Sequence, residues 1–521
     1  MALSFFATAR SNAHEAAVPE RKAISGLLCH DLVVPAQTRQ RPVLPALVLV
    51  GAVGTCLLPG LRRPLWLDES GSAALATLPS DDLRHVLIAR EGNGILHTLL
   101  LRVWSHVTTS DLGLRIPSLA FSVLALVLLV MLAQQLFDRR TAMLVPPLLV
   151  TNPIYIRYAV EARTYALVLA LSCASGLLLV RAVRRPTRSA WIAYAALTAT
   201  AAYAHYFAVL LVAGHIAGLA LLKRSNIQLK SQLLPAGAVY VLLCAGLVPL
   251  LMGGGAGGVH YLKDSPFART LILVGVGALP LALATGAAYL VRRRRRGQVI
   301  TLQVDAARWP WAFLLAWLVT PVVLAVGYSA VSSPVLAPRY LIVSLPPAVL
   351  LTAAVATRLR WQRVMVAVVG ATAVAGVFLG RAYVARQTED WPGAARIVRT
   401  DAHPGDGVLF AAPYVRVPFE RVYDVEAARR AGVQPLLPPL PWGASEAPLF
   451  FNQVLTSKRV SAATVGLPQV FVVTSHVQLY GSTDPTYDAV VTGLQNTFTL
   501  RETVQLRGVA VQIWTETTAF H

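Results

Sequence analysis

The sequence predicts a mostly α protein, a polytopic bundle of about eleven membrane-spanning helices that ends in a small α/β domain. Three observations carry this. Of the 521 residues, 55% are hydrophobic and only 14% charged, against the roughly 25% charged of an ordinary soluble protein. The apolar residues fall into runs of spanning length separated by short basic loops. Beyond residue 385 the runs stop, and polar, proline-containing patterning begins. With a mean hydropathy of +0.58, a soluble globular protein is excluded.

The expected spans are 43–58, 114–136, 142–156, 165–180, 191–205, 206–222, 233–252, 271–291, 309–328, 340–356 and 364–379. Arg139 and Arg140, Arg181 to Arg188, Lys223 to Lys230, Arg292 to Arg296 and Arg358 to Arg363 then all fall in alternate loops. Basic loops mark the cytoplasmic face, so this register puts the N-terminus inside and the C-terminal domain outside a cytoplasmic membrane. Arg62 and Arg63 are the main exceptions. Residues 191–222 are apolar throughout, with basic flanks at both ends, so the chain is expected to turn back near His205.

The formal net charge of +21 would suggest nucleic acid in a soluble chain. Here the basic clusters sit between apolar runs, and no nucleic-acid partner is expected. Cys29, Cys56, Cys173 and Cys244 are too scattered for a disulfide framework or a metal-type spacing. Residues 1–42 lack the arrangement of a cleavable signal and read as a disordered cytoplasmic tail.

Residues 59–113 form a long, amphipathic outer loop. Ser80, Asp81 and Asp82 open one helix with Leu83, Val86 and Leu87 on its apolar face, and 95–107 form a second. Both suit the membrane surface better than a further span. In the C-terminal domain, 385–521, helices are expected at 394–399 and 487–495, and strands at 407–410, 470–474 and 509–514.

In this register Asp68, Glu69, Glu91, Asn93, His97, Glu161, Arg163, His205, Tyr206, His260, Lys263, Arg339 and Tyr340 gather near the outer ends of the spans. Ionisable groups at membrane depth are costly and usually line a site or pathway, which predicts a water-filled outer cavity. The sharpest local signal is Leu65-Trp66-Leu67-Asp68-Glu69-Ser70, two acids directly after the first span, although acids at a span end also solvate loops. The glycine-rich run 253–258 lacks the Gly-Lys-Ser/Thr ending of a phosphate loop and reads as a flexible outer loop.

This acidic segment resembles the Asp-Glu motif in the first outer loop of the GT-C class of membrane glycosyltransferases, in the branch of protein O-mannosyltransferases and aminoarabinose transferases. The resemblance continues through Leu114-Arg115-Ile116-Pro117-Ser118, Glu161-Ala162-Arg163-Thr164-Tyr165, Ala204-His205-Tyr206-Phe207 and Pro338-Arg339-Tyr340. Together these segments span most of 43–360. One departure is Asn93-Gly94-Ile95, where many relatives carry His-Pro-Pro.

The resemblance implies a GT-C-like bundle that transfers a sugar, with inversion, from a polyprenyl-phosphate donor to a glycan, lipid or protein acceptor of the cell envelope. Membrane lipids are its surroundings. Asp68 is then the expected catalytic base. Glu69, Glu161, Arg163, His205, Tyr206, Arg339 and Tyr340 are the expected substrate-binding residues, the two arginines facing the departing phosphate. A divalent metal ion stays open if His205, Glu161 and Asp68 meet, although their spacing carries no ligand signature. The competing classes are a transporter or flippase of a lipid-linked sugar, which would be marked by internal repeats, and a non-catalytic glycan-binding assembly protein.

Overall fold

The computed structural model describes residues 60–61, 63–222, 227–254, 306–331, 337–358, 362–386, 389–451, 455–475 and 485–517. The expected spans 43–58 and 271–291, the tail, the five-arginine run, His260 and Lys263 lie outside them.

The described chain begins with three short helices, α1 (Leu67–Thr77), α2 (Ser80–Val86), which runs into a π-turn at Leu87–Glu91, and α3 (Ile95–Ser105). The apolar bundle follows: α4 (Asp111–Leu136), α5 (Arg139–Val150), α6 (Pro153–Tyr158), α7 (Tyr165–Arg184), α8 (Arg188–Ala204), α9 (Val209–Ala220), α10 (Ile227–Cys244), α11 (Val248–Met252), α12 (Trp309–Val331), α13 (Leu345–Ala356) and α14 (Gln362–Arg386). Four stretches among the described residues are long and apolar enough to cross a membrane: Asp111–Leu136, Tyr165–Arg184, Ser231–Met252 and Trp309–Val331. The protein is a multi-pass membrane protein.

Two of the remaining apolar runs are interrupted for a local reason. The expected span 142–156 is split because Asn152 turns its side chain back on the Ile154 N–H at 2.9 Å and opens α6 at Pro153. The chain turns at His205, whose backbone is extended between α8 and a 3₁₀ turn at Tyr206–Ala208.

Within the bundle α7 packs on α4 and α8, and α9 lies along α12. The last contact depends on two small residues one helical turn apart. A Cβ on Gly214 would stand 3.1 Å from the Trp317 Cα, and one on Gly218 2.6 Å from the Phe313 ring. Such small-xxx-small spacing lets apolar helices meet backbone to backbone, where dispersion and not the hydrophobic effect drives association. Tyr194 and His215 add a buried hydrogen bond of 2.9 Å across the α8–α9 hairpin.

The C-terminal α/β unit comprises α15 (Trp391–Asp401), β1 (Gly407–Phe410), α16 (Pro413–Val422), α17 (Val425–Arg430), β2 (Gln434–Pro435), α18 (Ser457–Ala463), β3 (Gln469–Ser475), α19 (Pro485–Leu494), β4 (Phe498–Gln505) and β5 (Val509–Glu516). Its sheet runs β2-β1-β3-β5-β4, parallel from β2 to β3 and antiparallel from β3 to β4. Strands β1 and β3 are buried along their whole length, as a sheet covered on both faces requires. Val408, Phe410 and Phe471 face α15 and α16, together with Trp391, Phe419 and Trp442. Leu409, Val470 and Val472 face α18 and α19.

Candidate active site

The site is built around the start of α1. Asp68 and Glu69 stand in its first turn, where unpaired backbone N–H groups favour negative charge. Although adjacent in sequence, the two acids meet opposite surroundings. The Glu69 side chain is 0% exposed and that of Asp68 28%.

Glu69 was expected to bind substrate; the structure gives it a different task. Its carboxylate makes a forked pair with Arg115 of α4, Nε to Oε1 at 2.8 Å and Nη2 to Oε2 at 2.5 Å. The rest of the guanidinium is spent on the carbonyls of Leu61, Arg63 and Pro64, so all five donors are used. Glu69 also accepts the Ala162 N–H at 2.9 Å. A charge buried this deeply is tolerated because it is paired and fully hydrogen-bonded. The Glu69–Arg115 pair ties α1, α4 and the Glu-Ala-Arg segment together, which makes it the frame of the site and not its contact surface.

Glu161 is likewise redirected. It was expected to bind substrate, yet it pairs with Arg157 at 2.6 Å, both side chains 0% exposed. Arg157 in turn lies 4.9 Å over the Trp66 ring. Between these pairs the turn 159–164 is seated on α4, where Ser122 Oγ donates to the Ala159 carbonyl and Ser118 Oγ to that of Arg163, each at 3.3 Å. That seating points the Arg163 side chain to the start of α1.

Three charged groups therefore converge. Arg163 Nη2 lies 3.6 Å and Arg339 Nη1 3.8 Å from Asp68 Oδ2. Arg163 Nη1 donates to Ser72 Oγ at 3.2 Å. Unlike the Glu69 and Glu161 pairs, these contacts exceed hydrogen-bond length, and the side chains are partly exposed. One carboxylate between two accessible guanidinium groups can exchange partners when an anion arrives.

His205 and Tyr340 form the aromatic wall beside Arg339. Their rings are 5.3 Å apart, Tyr340 stacks on Phe207 at 4.6 Å, and Arg339 lies 5.2 Å over Tyr340. His205 Nδ1 accepts the Phe207 N–H at 3.2 Å. Asn93, the departure from His-Pro-Pro, accepts the Tyr206 N–H at 3.1 Å, and its Nδ2 lies 3.4 Å from His205 Nε2. The side chain at 93 thus fastens 59–113 to the α8–α9 turn. Tyr206 packs against an apolar cluster of Ala202, Leu247 and Leu250. His97 is buried, and Glu91 forms an ion pair with Arg90 at 3.7 Å.

His205, Glu161 and Asp68 do not meet as a ligand set, because Glu161 is held by Arg157. Among the described residues no three His, Cys, Asp or Glu side chains converge as metal ligands do.

Arg115, which enters the sequence pattern only as part of Leu114-Arg115-Ile116-Pro117-Ser118 and carries no expected role there, is the partner that holds Glu69. Its signal was a cation opening a long apolar run, at a depth where an unpaired charge is costly.

Residues 94–250 match the family described as dolichyl-phosphate-mannose-protein mannosyltransferase. The crystal structure of ArnT from Cupriavidus metallidurans bound to undecaprenyl phosphate superposes with a TM-score of 0.54 at 12% identity, covering 90% of this chain and 97% of that one. The fold is GT-C. ArnT without ligand gives the same TM-score at 13% identity, with the same coverage. The Archaeoglobus fulgidus oligosaccharyltransferase follows at a TM-score of 0.49 and 13% identity, covering 83% of this chain and 67% of that one. No curated protein matches in sequence. The resemblance to the GT-C class thus holds in the fold, with residues 94–250 carrying the match to the mannosyltransferase family.

Proposed function

We propose that the protein is an inverting glycosyltransferase that moves a sugar from a polyprenyl-phosphate donor to a cell-envelope acceptor, a glycan, a lipid or a protein. In this reading the site opens on the outer face of the cytoplasmic membrane, and the C-terminal unit lies on that same side. The observation that carries it is the Asp68 carboxylate between Arg163 and Arg339, at 3.6 and 3.8 Å.

In the reaction, the acceptor hydroxyl oxygen attacks the anomeric carbon from the face opposite the phosphate. Asp68 takes the hydroxyl proton, a contribution of roughly 10²- to 10⁴-fold for a positioned base. The bond from the anomeric carbon to the phosphate oxygen breaks, and the electron pair leaves with the lipid phosphate. Arg163 and Arg339 receive that developing charge with forked donors, the arrangement a guanidinium offers a phosphate. His205 and Tyr340 wall the sugar side. That ArnT binds undecaprenyl phosphate in the same fold supports a lipid phosphate as the leaving group here.

The test is binding of undecaprenyl phosphate to the purified protein by native mass spectrometry. Arg163→Gln together with Arg339→Gln is expected to weaken it by about tenfold or more, given roughly 1.5–3 kcal/mol for a charged hydrogen bond. Unchanged binding in that variant would remove the arginines from the phosphate site. Comparing envelope glycans with and without the gene then identifies the sugar and its acceptor.

A further inference from the structure

The backbone N–H groups at the start of a helix have no partner within its own turns. At α1 three N–H groups in a row, from Leu65 just before the N-cap through Trp66 to the first helical residue Leu67, are taken up by carboxylates from three different places. The Leu65 N–H donates to Asp111 Oδ2 at 3.2 Å, the Trp66 N–H to Glu69 Oε2 at 3.4 Å, and the Leu67 N–H to Glu389 Oε2 at 3.2 Å. Glu69 belongs to α1 and Asp111 to α4. Glu389 instead stands at the entrance of the C-terminal unit, 322 residues on.

Glu389 is itself held firmly. It is 7% exposed, the next residue donates its N–H to the Arg507 carbonyl at 2.9 Å, and the β4–β5 turn closes over it. Gly508 in that turn has φ +69°, and a Cβ there would stand 3.0 Å from Glu389 Cγ. Only glycine combines that backbone with room for the acid. The C-terminal unit also grips the segment a second time. Arg421 of α16 bonds Asp111 Oδ1 at 2.8 Å and the Thr109 carbonyl at 2.6 Å, leaving the other Asp111 oxygen on Leu65. Between the two grips the Leu67 side chain packs against the C-terminal core that contains Trp391, Val415 and Val509.

We propose that the C-terminal unit positions Asp68, with Glu389 as the positioning residue on the Leu67 N–H and Arg421 acting through Asp111 on the Leu65 N–H. This rests on the reading of Asp68 as the base. Asp68 directly follows Leu67, so release of either grip lets the first turn of α1 move, and a base displaced by about 1 Å loses on the order of 10²-fold in rate. Anchoring by the C-terminal unit places this carboxylate more closely than a free surface loop would.

The experiment uses the full-length protein in detergent and follows hydrogen–deuterium exchange of the amides 65–67 by mass spectrometry. Envelope-glycan output is read in a strain lacking the gene and complemented with each variant. Glu389→Ala is expected to speed exchange at Leu67 by about tenfold, as loss of one buried hydrogen bond implies, and to lower glycan output. Glu389→Gln, which keeps an acceptor oxygen, restores both. Arg421→Ala, at a partly exposed residue, speeds exchange at Leu65. Undecaprenyl phosphate binding stays unchanged in all three.

Unchanged exchange in Glu389→Ala and Arg421→Ala, or a Gln variant no better than Ala, overturns the proposal. The exchange readout is independent of the chemistry at Asp68. Failure of the reading of Asp68 as the base would show as normal glycans in Asp68→Asn. Failure of the positioning proposal alone would show as normal glycans in Glu389→Ala.

Discussion

Breaking the Glu69–Arg115 pair tests the frame of the site. Arg115→Met removes two bonds from a carboxylate that is 0% exposed and leaves the Leu61, Arg63 and Pro64 carbonyls without their donor. Stranding one partner of a buried pair costs about 3–5 kcal/mol. In a chain of this length each kcal/mol moves the unfolding midpoint by about 1 °C, because the unfolding entropy grows with residue number, so the single variant should melt about 3–5 °C lower. Glu69→Gln strands the guanidinium less completely, since three of its five bonds go to carbonyls.

The double variant strands neither charge. It should therefore melt higher than the two single losses added together, with a coupling of about 1–3 kcal/mol. Tryptophan fluorescence during heating in detergent reads all four proteins. Additivity within about 0.5 kcal/mol would mean that the two residues do not act as a unit, and the frame argument would fail.

Burial raises the Glu389 carboxyl from the usual 4.5 to about 7. Between those values the folded chain holds a proton that the unfolded chain has released, so stability falls as pH rises through that window. Midpoints measured from pH 4.5 to pH 8 should decline across it, and Glu389→Gln should flatten the decline. Gly218→Leu drives a side chain into Phe313 at the α9–α12 contact; it should cost at least about 1–3 kcal/mol and show as a lower midpoint with reduced folded yield.

The legible parts of the chain were those where a local pattern matches its outcome. The turn at His205 followed from an apolar stretch too long for one crossing. Strand β1 came out at the expected 407–410, and strands 470–474 and 509–514 grew by a residue or two. Helix α1 was missed because Ser70, Gly71 and Ser72 are poor helix formers; its start is held by Asp111 and Glu389, partners invisible to a local reading. Strand β4 was missed because it is an exposed edge with polar patterning.

At the site, sequence brought Asp68, Arg163, His205, Arg339 and Tyr340 to one place, and the structure joins them. Sequence named Asp68 the base and Glu69 a substrate-binding residue; that the Glu69 carboxylate is instead buried against a guanidinium depends on Arg115, 46 residues away. It could not tell that Glu161 belongs to Arg157, because an acid two residues before one arginine and four after another offers both pairings.

Transfer of sugar from an undecaprenyl-phosphate-linked donor by purified Asp68→Asn, set beside the unaltered protein, bears most directly on the proposed chemistry. The amide keeps the shape and cannot take the acceptor proton. The variant should fold, bind undecaprenyl phosphate and lose turnover by roughly 10²- to 10⁴-fold. Turnover at the level of the unaltered protein would show that the carboxylate between the two arginines is not the base.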